Sequence, residues 1–266
     1  MFKRPIPVGS FQQQVFNVQV PGIGEAFFKK ITSDYSWWTF DECDVYYREK
    51  TSHAIMAALT GYNILLSADD GRREFVTKAL PKPNLTEANV KPLIHAILDG
   101  LAAMRRRRDT SLDKLTASDL ATAYFKKGTQ AGVCPRLLDE VCSFLIRWEG
   151  TYGSETCYVH GDLHWGNLLE TPDGLLYPFD YEEAIESLPA FDGANISSLI
   201  SKPYGDECYQ YFKQQYQNRF EEELISLEDW HRFRRLRDWL VACYLKQCCD
   251  AFTREKAKAF LFATTP

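Results

Sequence analysis

The chain changes its hydrophobic repeat at Pro81-Lys82-Pro83. Before this step apolar residues alternate, as on a pleated strand. After it they recur every third or fourth position, as on one face of a helix. Proline fixes φ and lacks an amide hydrogen, so the step continues neither pattern. Such a chain divides into a β-rich part and a helical part joined by a hinge. The expected division is 1–80, a hinge at 81–84, and 85–266, and a chain of 266 residues can give both parts a core.

In the first part Arg4–Val8, Gln13–Val20 and Glu25–Ile31 read as strands, with a turn at Pro21-Gly22-Ile23-Gly24. In the third strand Ala26, Phe28 and Lys30 share one face, and Phe27, Lys29 and Ile31 the other. A lysine facing inward needs an anionic partner. Alternation leaves open whether Lys29 or Lys30 is that lysine. Asp41 to about Leu59 reads as a helix ended by Gly61, with Val45, Glu49, Ser52, His53 and Met56 on one stripe. Glu49 within that stripe suits an inward lysine. Glu42 lies nearer the helix start, where acids cap. Ile64–Ser67 and Glu74–Leu80 form a hairpin, and the pair Trp37-Trp38 reads as core aromatics.

In the second part Asn84 and Glu87 have capping-box spacing ahead of Leu93, Ile94, Ile97, Leu98 and Leu101. Arg105–Arg108 ends that helix as a solvated basic run that suits the helix dipole. Thr116 with Asp119 caps a second helix that stops at Gly128, and Cys134–Glu149 is a third. Phe191–Ser201, Asp206–Glu223 and Leu227–Asp250 follow, the last capped by Ser226 with Asp229, and a short helix ends the chain.

Between these helices lies 157–182, whose polar residues include His160, Asp162, His164, Asn167 and Asp180. A short strand, a turn at Thr171-Pro172-Asp173-Gly174 and a second strand separate Asn167 from Asp180. That hairpin brings the side-chain oxygens of Asp162, Asn167 and Asp180 beside one loop. Phosphoryl transfer needs such a set: a carboxylate for a hydroxyl proton, and hard oxygen ligands for magnesium on nucleotide phosphates. His160, Asp162 and His164 on alternate positions would also suit zinc and a hydrolase, but that leaves Asn167 and Asp180 without a use.

Composition narrows the classes further. A net charge of −5 argues against a nucleic-acid binder, and no apolar run approaches the ~18–20 residues of a membrane span. The start Met-Phe-Lys-Arg-Pro-Ile-Pro lacks a signal-peptide core, and the eight cysteines show no CxxC pair. Reduced thiols in the cytoplasm are the expectation.

His-Gly-Asp-Leu-His-Trp-Gly-Asn at 160–167 resembles the H-G-D-x-H-x-x-N catalytic loop of the aminoglycoside phosphotransferase and choline kinase superfamily. Phe-Asp-Tyr-Glu at 179–182 resembles its I-D-F/W-E segment. The resemblance implies an α+β, two-lobed protein-kinase-like fold with a β-rich N-lobe and a mostly helical C-lobe. It implies Asp162 as catalytic base, Asn167 and Asp180 as magnesium ligands, and His160 and Asp192 as structural supports of the loop. His164 stands where protein kinases usually carry lysine, which points to the small-molecule branch. Phe-Phe-Lys-Lys-Ile at 27–31 resembles the strand with the phosphate-binding lysine. The family's apolar residue after that lysine selects Lys30, with Lys29 second and Glu49 as ion-pair partner. Gly9 and Ser10 fall where the loop over the nucleotide belongs.

The implied activity is transfer of a phosphoryl group from ATP or GTP, with Mg2+, to a hydroxyl of a small molecule. Acids at 109–140 and 200–230 suit a cationic acceptor such as an aminoglycoside or choline-like amine; other antibiotics, ethanolamine and sugars are alternatives. A pseudokinase working through a partner is the remaining reading, and the intact acid–Asn–acid set speaks against it.

Overall fold

The structure, a computed structural model, describes residues 4–5, 13–32, 38, 44–84, 86, 89–108 and 110–248. Gly9, Ser10, Trp37 and Glu42 lie outside them, as does the final short helix. Strands β1 (Arg4–Pro5), β2 (Gln13–Val20), β3 (Gly24–Ile31), β4 (Leu65–Asp69) and β5 (Glu74–Lys78) form one antiparallel sheet in the order β1-β2-β3-β5-β4. In its register Val15 faces Lys29 on one side and Phe75 faces it on the other.

Helix α1 (Val45–Thr60) packs on this sheet through Val45 and Tyr46, which meet Ile31 and Phe75. It starts at Val45 because the Asp44 carboxylate accepts the Tyr47 amide at 2.9 Å, and it stops at Gly61 with φ +70°. Its stripe of Val45, Glu49, Ser52, His53 and Met56 is buried, as the spacing predicts. The opposite face of the sheet buries Val18, Ala26 and Phe28 in a separate cluster.

The helical lobe holds α2 (Val90–Arg105), α3 (Ala117–Gln130), α4 (Pro135–Tyr152), α5 (Ala190–Phe220) and α6 (Leu227–Cys248). Helix α2 begins at Val90, not after Asn84. Pro92 is tolerated in a first turn but would break a helix running in from residue 84. Arg105 at its end is not a solvated cation, because its guanidinium meets Glu222 at 2.6 Å and lies 3.8 Å from the Phe220 ring centroid. Thr116 and Asp119 form the reciprocal capping box on α3. That helix passes through Gly128 rather than stopping there, since a Cβ on Gly128 would strike Leu138 of α4. Gly128 therefore serves close helix packing. Gly205, with φ 74° and ψ 179°, interrupts α5 between the two helices expected there.

The core of this lobe is aromatic. Phe233 packs edge-on to Trp148 at 4.9 Å and lies 5.7 Å from Trp230, and Trp38 stacks on Phe191 at 5.0 Å. Trp38 is fully buried, so it is a core residue rather than a surface platform. Among the described residues no helix is long and apolar enough to cross a membrane. Phe233 is fully buried, and replacing it with alanine removes ring contacts and leaves a cavity. Phe233→Ala is expected to lower unfolding stability by about 3–5 kcal/mol, read from urea denaturation.

Candidate active site

The loop of interest leaves β6 (Cys157–Val159), which is buried and pairs with β9 (Ile185–Ser187). Its first residues are held from below by the first turn of α5. Asp192 accepts the His160 amide at 2.8 Å and the Gly161 amide at 3.1 Å. Burial pushes the Asp192 carboxyl up to about 7, against the pull of those two amides. Gly161 has φ +81°, and a Cβ there would run into the Glu183 carbonyl, so only glycine fits. The buried His160 ring donates from Nε2 to the Phe179 carbonyl at 3.0 Å. Its Nδ1 is then the acceptor for the Asp162 amide, at 3.4 Å. Both ring nitrogens serve the loop backbone, and burial lowers the imidazole pKa, keeping it neutral for that duty. This is how His160 and Asp192 fix the carboxylate between them.

Asp162 is about one-third exposed at the end of that loop. His164 Nε2 stands 3.5 Å from one carboxylate oxygen, and Arg234 Nη2 of α6 stands 3.7 Å from the other. The Gly166 amide donates to His164 Nδ1 at 2.9 Å, which leaves Nε2 as the protonated nitrogen facing Asp162. Burial alone would raise the Asp162 pKa. The His164 hydrogen bond, and then the charges of His164 and Arg234, hold it below the usual carboxylate value. Arg234 is fixed by Asn195, whose carboxamide oxygen accepts at 2.8 Å.

After the single turn Trp165–Asn167, β7 (Leu168–Glu170) and β8 (Leu176–Pro178) form the expected hairpin, with Leu168 opposite Pro178. The Phe179 amide donates to the Asn167 carbonyl at 3.0 Å, so Asp180 follows directly beside Asn167. Asn167 Nδ2 donates to the Asp162 carbonyl at 3.0 Å, a bond that does not use its Oδ1. Asp180 has φ +68°, a left-handed conformation that Asp tolerates better than most residues.

The lysine that meets this site is Lys29, not Lys30. Lys29 Nζ bonds to Glu49, lies 2.6 Å from Asp180 Oδ1 and lies 3.4 Å from Glu182 Oε1. Lys30 points to the other face and approaches Glu74 at 3.6 Å near solvent. The reason is strand parity. Lys29 shares its face with Ile31, and Ile31 is the residue packed against α1. Burial opposes charge on Lys29, yet Asp180, Glu49 and Glu182 together hold its ammonium above the ordinary lysine value. Glu49 and Glu182 are both raised, first by burial. Glu49, Asp180 and Glu182 bring carboxylate oxygens within 4.8 Å of one another, and that crowding adds to burial in raising Glu49 and Glu182. Next to Glu49, His53 is driven down to about 3 by burial and then by Lys29, so it is neutral in this cluster. Arg48, also buried, donates to the Glu182 carbonyl at 2.9 Å and to Asp113 at 2.8 Å.

Asp162, Asn167, Asp180, Glu49 and Lys29 therefore converge, and Lys30 does not. Gly9 and Ser10 are outside the described residues. Arg234 and Asn195 were not singled out by sequence. They lie in distant helices without a local pattern, and only the packing of α5 against α6 brings them to Asp162. Glu182 stands inside the Asp-Tyr-Glu segment, where its spacing from Asp180 was the available signal.

The two lysines separate experimentally. Lys29→Met leaves buried carboxylates uncompensated and is expected to destabilise the chain by about 3–5 kcal/mol. Lys30→Met removes an exposed pair and should change stability by no more than about 1 kcal/mol. Urea denaturation of both variants reads the difference.

Comparison with known proteins agrees with this geometry. A family model described as the phosphotransferase enzyme family matches residues 69–252. No curated protein matches the chain by sequence. Among solved structures, macrolide 2′-phosphotransferase MphH from Brachybacterium faecium superposes with TM-score 0.66 at 14% identity, covering 99% of this chain and 92% of that one. Choline kinase LicA from Streptococcus pneumoniae gives 0.65 at 16% identity, over 98% and 93% of the two chains. A thermostable mutant of aminoglycoside phosphotransferase APH(4)-Ia, in a ternary complex with ADP and hygromycin B, gives 0.60 at 12% identity, over 100% and 95%. At these identities the superpositions establish the shared two-lobed kinase-like fold. With the family model spanning most of the sequence, the chain belongs to the phosphotransferase enzyme family, enzymes that move a phosphoryl group onto an alcohol.

Proposed function

We propose that the chain transfers the terminal phosphoryl group of ATP, or of GTP, to a hydroxyl of a small molecule in the cytoplasm. The observation that carries this reading is the convergence of Asp162, Asn167 and Asp180 with Lys29. Divalent magnesium fits the residues present. The bond made by the Asn167 amide nitrogen does not use its Oδ1, and three carboxylates cluster beside Lys29, a set of hard oxygen donors. Asn167 and Asp180 would hold the ion, which when bound supplies positive charge to the phosphate oxygens. Lys29, steadied by Glu49, presents its ammonium to the same oxygens. Asp162 accepts the hydrogen bond of the acceptor hydroxyl, aims its oxygen and takes its proton as the new bond forms. Most of the rate then comes from positioning and fixed charge.

The acceptor reading follows from charge. Many acids that suggested a cationic acceptor are paired inside the chain: Asp113 with Arg48, Glu140 with Arg232, Glu207 with Lys91 and Glu222 with Arg105. The groups next to Asp162 are Arg234 and His164. This favours an acceptor with at most one positive charge, such as a sugar or macrolide hydroxyl, over a polycationic aminoglycoside. An ADP-release screen against macrolides, aminoglycosides, choline, ethanolamine and free sugars tests this, and turnover confined to the aminoglycosides would overturn it.

Asp162→Asn is expected to reduce turnover by about 10²–10⁴-fold while nucleotide affinity stays within twofold or so. Lost nucleotide binding with turnover intact would sink the assignment. Arg234→Met tests the local electrostatics. Arg234 favours the ionised form of Asp162, so its removal raises that pKa. The acid limb of the kcat/KM profile should then move to higher pH, with the neutral plateau less affected.

A further inference from the structure

Lys82 is the cation of the hinge, an exposed side chain whose ammonium reaches the loop ahead of Asn167. The Pro81 carbonyl accepts the Glu170 amide at 2.8 Å, which docks the hinge on β7, and Pro83 is buried. Prolines on both sides restrict the backbone and so the direction of the side chain. Lys82 Nζ bonds to the Gly166 carbonyl and lies 4.2 Å from the centre of the Phe179 ring. Gly166 immediately precedes Asn167, and Phe179 immediately precedes Asp180. The ammonium is thus held against the residues that immediately precede the two proposed ligand residues.

Its direct contacts there are a neutral carbonyl and an aromatic face, while burial opposes its charge and the nearby Asp180 carboxylate favours it. The two contacts orient a cation without cancelling its charge. Among the described residues Lys82 makes no ion pair, whereas Lys29 is surrounded by Glu49, Asp180 and Glu182. An ammonium on a flexible stem has spare donors and turns readily toward an anion. The anion nearest at hand during the proposed reaction is the polyphosphate of the nucleotide.

We propose that Lys82 is a second phosphate-binding lysine, contributed by the hinge and contacting the polyphosphate of the bound nucleotide. This rests on the nucleotide-dependent reading given above. It assigns to the segment between the lobes a part in binding charge as well as in joining them.

The test is calorimetric titration of the full chain with magnesium-ATP over a range of ionic strength, for wild type, Lys82→Met and Lys82→Arg. Lys82 is exposed, and melting curves of the three proteins check that each is folded. A phosphate contact predicts about tenfold weaker binding in Lys82→Met, a shallower loss of affinity with added salt, and recovery in Lys82→Arg. Unchanged affinity, or a fall in affinity with the salt dependence of wild type, overturns the contact while leaving the phosphotransferase reading intact. A folded wild type that binds no nucleotide overturns that reading itself, and the role of Lys82 with it.

Discussion

One buried ammonium joins three parts of the molecule. Lys29 comes from the sheet, Glu49 from α1, and Asp180 with Glu182 from the segment after the hairpin. None of these groups is tolerable alone in its surroundings. The lysine would be an unpaired buried cation, and the acids would repel one another and lose hydration. Together they make the contact between β-rich and helical lobes chemically specific. The sheet must present the face that carries Lys29, α1 must turn Glu49 inward, and the chain must bend at Asp180.

The Asp162 carboxylate is held by a separate device. Asp192 grips two consecutive amides at the start of the loop, and His160 spans from that loop to Phe179. Both supports belong to the helical lobe, so Asp162 is oriented without help from the sheet. Arg234 and His164 then bias its protonation. Asp162 and Lys29 thereby rest on different scaffolds that meet between Asn167 and Asp180.

Much of this was legible in the sequence. The strand alternation, the α1 stripe with its glutamate, the Thr116–Asp119 box, the break at Gly205 and the hairpin from Asn167 to Asp180 all appear in the structure. Each is a local pattern with a local physical cause. What failed needed tertiary information. Lys29 and Lys30 lie on a strand whose two faces both bury apolar residues, Ile31 on one and Phe28 on the other, so alternation could not name the inner face. The capping spacing at Asn84 points to an earlier start for α2 than the structure has, because Pro92 forbids a helix running in from residue 84. Gly128 read as a helix stop because its close neighbour, Leu138, belongs to the next helix. Arg234 was invisible because its meeting with Asp162 depends on how two distant helices pack.

Arg48 gives this architecture a further property. It is buried on α1 and tied to the Glu182 carbonyl and to Asp113, while the neighbouring Glu49 is tied to Lys29. Swinging α1 outward would strand two adjacent opposite charges at once, a penalty of several kcal/mol. An activation switch that works by displacing this helix has no inexpensive off-position here.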